Sequence, residues 1–491
     1  MPVSALKGNS WMTQIVTADD VRSGNLSGDR SPPSERNSLV RQAILHNAIL
    51  PTLLKLALPT MSVLIAQTAV NVAEAYYVGL LGTDALAGVA LVFPVFMLMM
   101  TMAGGGLGSG VSSAMARAVG AGNQRDADAI VLHAIILAAL LGSLFTAGAL
   151  WGGVAFYSLL GGEAGAHKAA VEYSNYLFAG SIPVWIVNQT AAALRGAGNV
   201  RLPATVTLIG AFVLIPASPA FIFGVGPIPR LGIAGAGVAF ALYYGCAMFV
   251  LLAYMASGRS GLSLRISRPE WRLFADILRV GAPAALNTVQ MNMTVILVTG
   301  AFGRFGTSAL AGYGVAARLD YVLIPVLFGL SSAVLTMVGV NMGGRNAARA
   351  KRVAWIGGAL GAALTEAIGL LVAFLPMLWI QLFTQDPDVF ASARIYLQTV
   401  APAYGFLGFG FTISYAAQGA GRVFWPFIAM TVRMCIATGI GWFVVTRLHV
   451  GIPELSLVVA VSLVAFASVC ALAMASKTVW RVAGPAQSVR H

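Results

Sequence analysis

Gln67, Asn71 and Glu74 recur at i, i+4 and i+7 inside an otherwise apolar stretch, so a helix there gathers them into one stripe. Glu74 is the member that can do chemistry. A bare carboxylate in apolar surroundings is expensive, and it escapes that cost by taking up a proton or binding a cation. Either event makes it a coupling group; a structural carboxyl hydrogen-bonded to a neighbouring helix is the plainer alternative. Pro59, earlier on the same stretch, removes a backbone hydrogen bond and invites a bend, so the helix carries either a switch or a static kink.

Other polar groups sit in apolar runs. Asn287, Gln290 and Thr294 form an uncharged stripe suited to a ligand in a cleft or to the next helix. Arg318, Asp320, Glu366 and Arg433 form an intramembrane charge network, read chiefly as structural, whose pairing the sequence leaves open. Met97 and Met100 belong to a Met-rich run that offers an adaptable apolar wall for ligands, although such runs commonly face lipid or protein. Nothing supports an enzyme, a bound metal or a cofactor. His46, His133, His167, His449 and His491 have no ligand spacing and no nucleophile partner, and Cys246, Cys435 and Cys470 are unpaired in spacing. The run Gly104-Gly105-Gly106 lacks the Lys-Ser/Thr that a phosphate loop requires.

The elements that must position these groups follow from composition. With 58% hydrophobic and 10% charged residues and a mean hydropathy of +0.82, the chain departs from soluble domains, in which about a quarter of residues are charged. It reads as an all-α integral membrane protein. Twelve apolar stretches are each long enough for the ~20 residues of a membrane helix; they lie near 53–80, 85–115, 128–158, 169–194, 202–224, 232–256, 274–302, 308–338, 352–382, 391–417, 424–446 and 455–477. Glu74 then lies roughly 10 Å below the outer surface, at ~1.5 Å per residue from Leu81. Residues 1–45 are polar and read as a disordered tail, and 481–491 as a second tail.

The net charge of +13 does not point to nucleic acid, because its cations lie in short loops where topology explains them. If the N-terminus is inside, the inner loops hold fourteen Arg and Lys: Arg117, Arg125, Arg195, Arg201, Arg259, Arg265, Arg268, Arg272, Arg279, Arg345, Arg349, Lys351, Arg352 and Arg422. The outer loops hold four: Lys168, Arg230, Arg304 and Arg447. Both termini are therefore expected in the cytoplasm.

The chain is also a duplication. Gly82-Thr83-Asp84-Ala85-Leu86-Ala87-Gly88 returns as Gly306-Thr307-Ser308-Ala309-Leu310-Ala311-Gly312, and Pro59 returns as Pro283, at a shift of 224. Arg195-Gly196-Ala197-Gly198 returns as Gln418-Gly419-Ala420-Gly421 at 223. Two homologous six-helix lobes result, an N-lobe over 46–257 and a C-lobe over 274–480, joined by the basic linker 258–273. Glu74 falls on Val298, so the second copy lacks the acid.

These motifs, with Gly120-Ala121-Gly122-Asn123 and Val340-Asn341-Met342-Gly343-Gly344, resemble the multidrug and toxic compound extrusion (MATE) family over about residues 50–478. The segment from Tyr313 to Pro325, with Arg433, is most similar to the family's DinF-like branch. The resemblance implies a V-shaped antiporter of a bacterial inner membrane that expels small organic compounds against protons or sodium, with Glu74 at the position of the branch's coupling acid. It also implies acceptors that are missing here: Leu214, Ser218 and Phe240 stand where the family has Asn, Asp and Thr. With few converging oxygens left, a proton suits Glu74 better than a sodium ion. The expectation is a proton-driven exporter of drug-like, amphipathic or cationic compounds with no obligate protein partner. A lipid-linked precursor flippase of the same superfamily and a non-transporting membrane scaffold or sensor are the alternatives.

Overall fold

The computed structural model describes residues 33–160, 164–227, 229–264, 268–476 and 479–480, and these are helical without a strand among them. Among the described residues ten helices are long and apolar enough to cross a membrane. In the N-lobe they are α1 (Ile49–Gly79), α2 (Thr83–Gly120), α3 (Gln124–Ser158), α5 (Arg201–Phe223) and α6 (Ile233–Ala256). Between α3 and α5, α4 is a pair, Gly165–Ala179 and Ser181–Gly196, bent by 47°. The C-lobe repeats the order with α7 (Trp271–Gly303), α8 (Thr307–Gly343), α9 (Ala347–Phe374), α11 (Phe424–Arg447) and α12 (Ile452–Ala475). The expected tenth span, α10, is two shorter helices, Pro387–Val400 and Tyr404–Gly419, around a 3-10 turn at Ala401–Ala403.

The duplication extends to backbone breaks and packing. The bend of α4 at Gly180 falls on Ala403 at the shift of 223, inside the turn that breaks α10. Pro402 causes that turn locally, because its nitrogen has no hydrogen to donate. Gly82 (φ 112°) and Gly306 (φ 103°) start α2 and α8 in a conformation closed to residues with a Cβ. A Cβ at Gly88 would stand 2.8 Å from the Ala170 nitrogen, and one at Gly312 2.8 Å from that of Ala393, so each lobe seats its second span on its fourth in one register.

The lobes meet near the face that carries the described chain ends, here the terminal face. There α8 packs on α1 and on the part of α2 near that face, Gly108–Gly120, whereas the part away from it, Thr83–Thr101, packs on α4 of its own lobe. The seam is backbone against backbone. A Cβ at Gly120 would come within 2.8 Å of the Val340 Cα, and one at Gly343 within 2.9 Å of the Ala121 nitrogen. Arg117 of α2 pairs with Asp276 of α7 at 2.7 Å across it, and the Ser113 hydroxyl donates to the Gln418 carbonyl.

One expectation is corrected here. The polar tail was expected to be disordered to residue 45, yet Pro33–His46 is a helix. Residues 1–32 and 481–491 lie outside the described residues. The leading helix is held because Ile44 and Leu45 are buried against α8, and because it is pinned to both lobes. Arg41 Nε donates to the Gly120 carbonyl at 2.9 Å on one side, and Arg349 Nη2 donates to the Ile44 carbonyl at 3.2 Å on the other. The linker is likewise fastened to α3: Asp128 accepts from Ser263, Asp126 pairs with Arg272, and His133 Nε2 accepts from the Glu270 nitrogen.

Candidate functional site

Glu74 lies toward the end of α1 away from the terminal face and is half-buried, with Tyr173 of α4 and Tyr244 of α6 within electrostatic reach. Its Oε1 is buried and has no hydrogen-bond partner. A carboxylate oxygen in that position is stabilised by a proton or a cation and by little else. Gln67 is half-buried and Asn71 exposed, and neither hydrogen-bonds Glu74. The expected polar stripe thus exists as a line along α1, in which Gln67 and Glu74 are half-buried and Asn71 is exposed. Nearby positions agree with the shortage of acceptors: Leu214 is packed with Val70, Ala211 and Ala239, and Phe240 lies edge-on to Phe96. Ser218 is fully buried with an unpartnered hydroxyl. Pro59 sits within the single helix Ile49–Gly79, which continues through it.

In the C-lobe the α7 stripe spends its bonds locally. Gln290 Nε2 donates to Thr431 Oγ1 of α11 at 2.8 Å, and Thr294 Oγ1 donates to the Gln290 carbonyl at 2.7 Å. Of the two readings left open for that stripe, Gln290 takes the bond to a neighbouring helix, and Thr294 bonds within its own. Asn287 is buried and keeps an unpartnered Oδ1. Met97 and Met100 are half-buried, and Met100 packs on the N-lobe core.

The four-membered charge network does not form. Arg318 is exposed, its guanidinium 5.0 Å from the centre of the Phe383 ring, at a recess of about 390 Å³. Glu366 Oε2 accepts from the Gly405 nitrogen at 2.7 Å, so this acid caps the second half of α10 where the 3-10 turn leaves a donor free. Asp320 and Arg433 are left facing one another inside the lobe, within electrostatic reach but not in direct contact. Helical periodicity explains the split: Arg318 and Asp320 are two apart on one helix and must point to different sides.

The tyrosines beside the acids went unmarked in the sequence, although a signal was present. Tyr173 falls on Tyr396 at the shift of 223, and Tyr396 lies within electrostatic reach of Asp320. Among the described residues no group of three or more His, Cys, Asp or Glu could hold a metal ion.

The comparisons agree with this architecture. A family model described as MatE matches residues 59–220 and 283–443, one match per lobe, the first beginning at Pro59 and the second at Pro283. A protein of Shewanella oneidensis named FAD transporter is 27% identical over 407 residues, 80% of this chain and 87% of that protein. A Thermotoga maritima protein named probable multidrug resistance protein NorM is 28% identical over 382 residues, 77% of this chain and 81% of that one. A crystal structure of MATE in the bent conformation superimposes with a TM-score of 0.83 at 25% identity, over 89% of this chain and 96% of that one.

Proposed function

The chain belongs to the MatE family of membrane transporters, which move small molecules and are not enzymes, and from that premise we propose that it exports organic compounds in exchange for protons. The observation that carries the reading is Glu74, whose buried oxygen has no partner. The terminal face lies in the cytoplasm, by the fourteen-to-four excess of cations in its loops. Closure of that face, by the packing of Gly120 on Val340, supports reading the present state as open outward. From outside, a proton reaches Glu74 and discharges it. A cationic or amphipathic cargo that prefers the ionised form leaves, and α1 relaxes around Pro59 as the lobes exchange their seam. Inside, the proton is lost and cargo binds again. The named FAD transporter adds a flavin dinucleotide to the cargoes worth testing. We place it in a bacterial inner membrane; that the similar proteins come from bacteria supports this reading.

The test is export from proteoliposomes under an imposed pH gradient or an imposed sodium gradient, with fluorescent organic cations and FAD as cargo. The native protein should respond to the pH gradient. Glu74→Gln, folded as judged by its unfolding temperature, should not. Undiminished pH-driven export from that variant removes Glu74 from the mechanism, and export driven by sodium alone removes the proton.

A further inference from the structure

Each lobe holds an acid among its spans, Glu74 in one and Asp320 in the other, but they balance it differently. In the N-lobe Glu74 comes from α1 and has Tyr173 beside it. In the C-lobe the matching place on α7 is Val298, and the acid comes instead from α8, as Asp320, with Tyr396 at the position equivalent to Tyr173. The cation differs too. Arg433 of α11 has Gly210 of α5 as its counterpart, at the shift of 223 that relates Pro203 to Pro426. Gly210 is packed by the Tyr243 ring of α6, whereas Arg433 lies with its guanidinium 6.0 Å from the centre of the Phe466 ring of α12.

The C-lobe chamber is also short of partners. Arg433 Nε and Nη1 are buried without a hydrogen bond, and Asp320 has the Tyr404 hydroxyl close by while its Oδ1 remains without a well-aligned partner. Glu366 does not serve them, because it is engaged by Gly405. Two interruptions border the chamber: the 3-10 turn immediately before Tyr404, and a π-helical turn at Cys435–Ile440 two residues after Arg433. Such interruptions free backbone groups and accompany ion sites in transporters. An acid, an aromatic face and interrupted helices are the components of a small-cation site, and the Arg433 guanidinium lies within electrostatic reach of that acid and 6.0 Å from the centre of the Phe466 ring.

We propose that the C-lobe chamber is a cation site whose cation is the protein's own Arg433. A tethered guanidinium cannot be exchanged, so the chamber stays charge-balanced through the cycle and takes up neither proton nor metal ion. This inference deepens the assignment of coupling to Glu74, since it explains why one lobe is available for coupling and the other is not. Its test needs no transport and is therefore independent of that assignment.

Arg433→Ala should leave Asp320 uncompensated and make the purified protein depend on an added cation. The measurement is the unfolding temperature in detergent with guanidinium, sodium or potassium, against choline at the same ionic strength. Native protein should respond equally to all four. Arg433→Ala should be lowered by several degrees in choline and recover most of the loss in millimolar guanidinium, or in sodium if the vacated space suits it. Arg433→Lys should remain insensitive. The double variant Asp320→Asn/Arg433→Ala should be more stable than Arg433→Ala in choline and show no cation response, which separates site filling from any general effect of guanidinium. If Arg433→Ala accumulates only when produced with guanidinium, that dependence is the expected result. An Arg433→Ala protein without cation response, or a double variant with the same response, overturns the proposal.

Discussion

Gly120 sits at the seam that closes the terminal face, and the structure sets how much a single methyl there should disturb. A Cβ at Gly120 would stand 2.8 Å from the Val340 Cα, whereas ordinary carbon contacts are about 3.5–4.0 Å. The obstacle is backbone, which has no rotamer to yield, so α2 and α8 must part by about 1 Å or the protein must favour a state in which this seam is open. Overpacking of this kind costs about 1–3 kcal/mol. If the open-seam state relieves it, the balance between the two states moves by roughly 5- to 150-fold. The assay is a distance distribution between spin labels at Arg201 and Arg352, both exposed at the starts of α5 and α9 on either side of the seam, with Cys246, Cys435 and Cys470 replaced by Ala. Gly120→Ala should add a longer distance that is minor or missing in the parent, and Gly343→Ala, on the other side of the same contact, should do likewise. A single unchanged distance in both variants, each with parental stability, would show that this seam is not the closed gate.

Three further outcomes follow from individual contacts. One proton moved down one pH unit supplies about 1.4 kcal/mol, so native protein exchanging one proton per monovalent cation should sustain at most about a tenfold cargo gradient per pH unit in vesicles, and Glu74→Gln none. Glu366→Ala should lower stability by about 1.5–3 kcal/mol in denaturant or thermal unfolding, since it strips a charged acceptor from the buried Gly405 nitrogen; Glu366→Gln, which keeps an acceptor, should lose clearly less. Arg349→Ala removes the bonds to the Ile44 and Asn47 carbonyls, so amide exchange over residues 38–47 should accelerate while the membrane spans keep their protection.

Much of the architecture was legible because it depends on local composition. Length of apolar run determines a membrane helix, and the recurrence of Pro59 as Pro283 and of Gly82 as Gly306 marks a duplication whatever the packing. The isolation of Glu74 was legible for the same reason: its neighbours in sequence are apolar, and its counterpart is Val298. Helical breaks were harder. Pro402 is visible, but the turn at Ala401–Ala403 takes hold because Glu366, on a different span, satisfies the nitrogen that the break exposes.

The sequence by itself determined that this protein lives in a membrane, that it is doubled, and that one lobe carries an acid the other lacks, because each of these is a property of residue type and periodicity. Only the tertiary structure decided which charges meet. Arg318 and Asp320 are close in the chain yet face different surroundings, while Asp320 and Arg433, more than a hundred residues apart, share a chamber. The ordering of residues 33–46 was decided there as well, since a polar segment with little drive to fold alone becomes a helix once Ile44 and Leu45 are covered by α8. Partners at long sequence separation are selected by how helices cross, and helix crossing is a property of surfaces brought together, which no single stretch of chain contains.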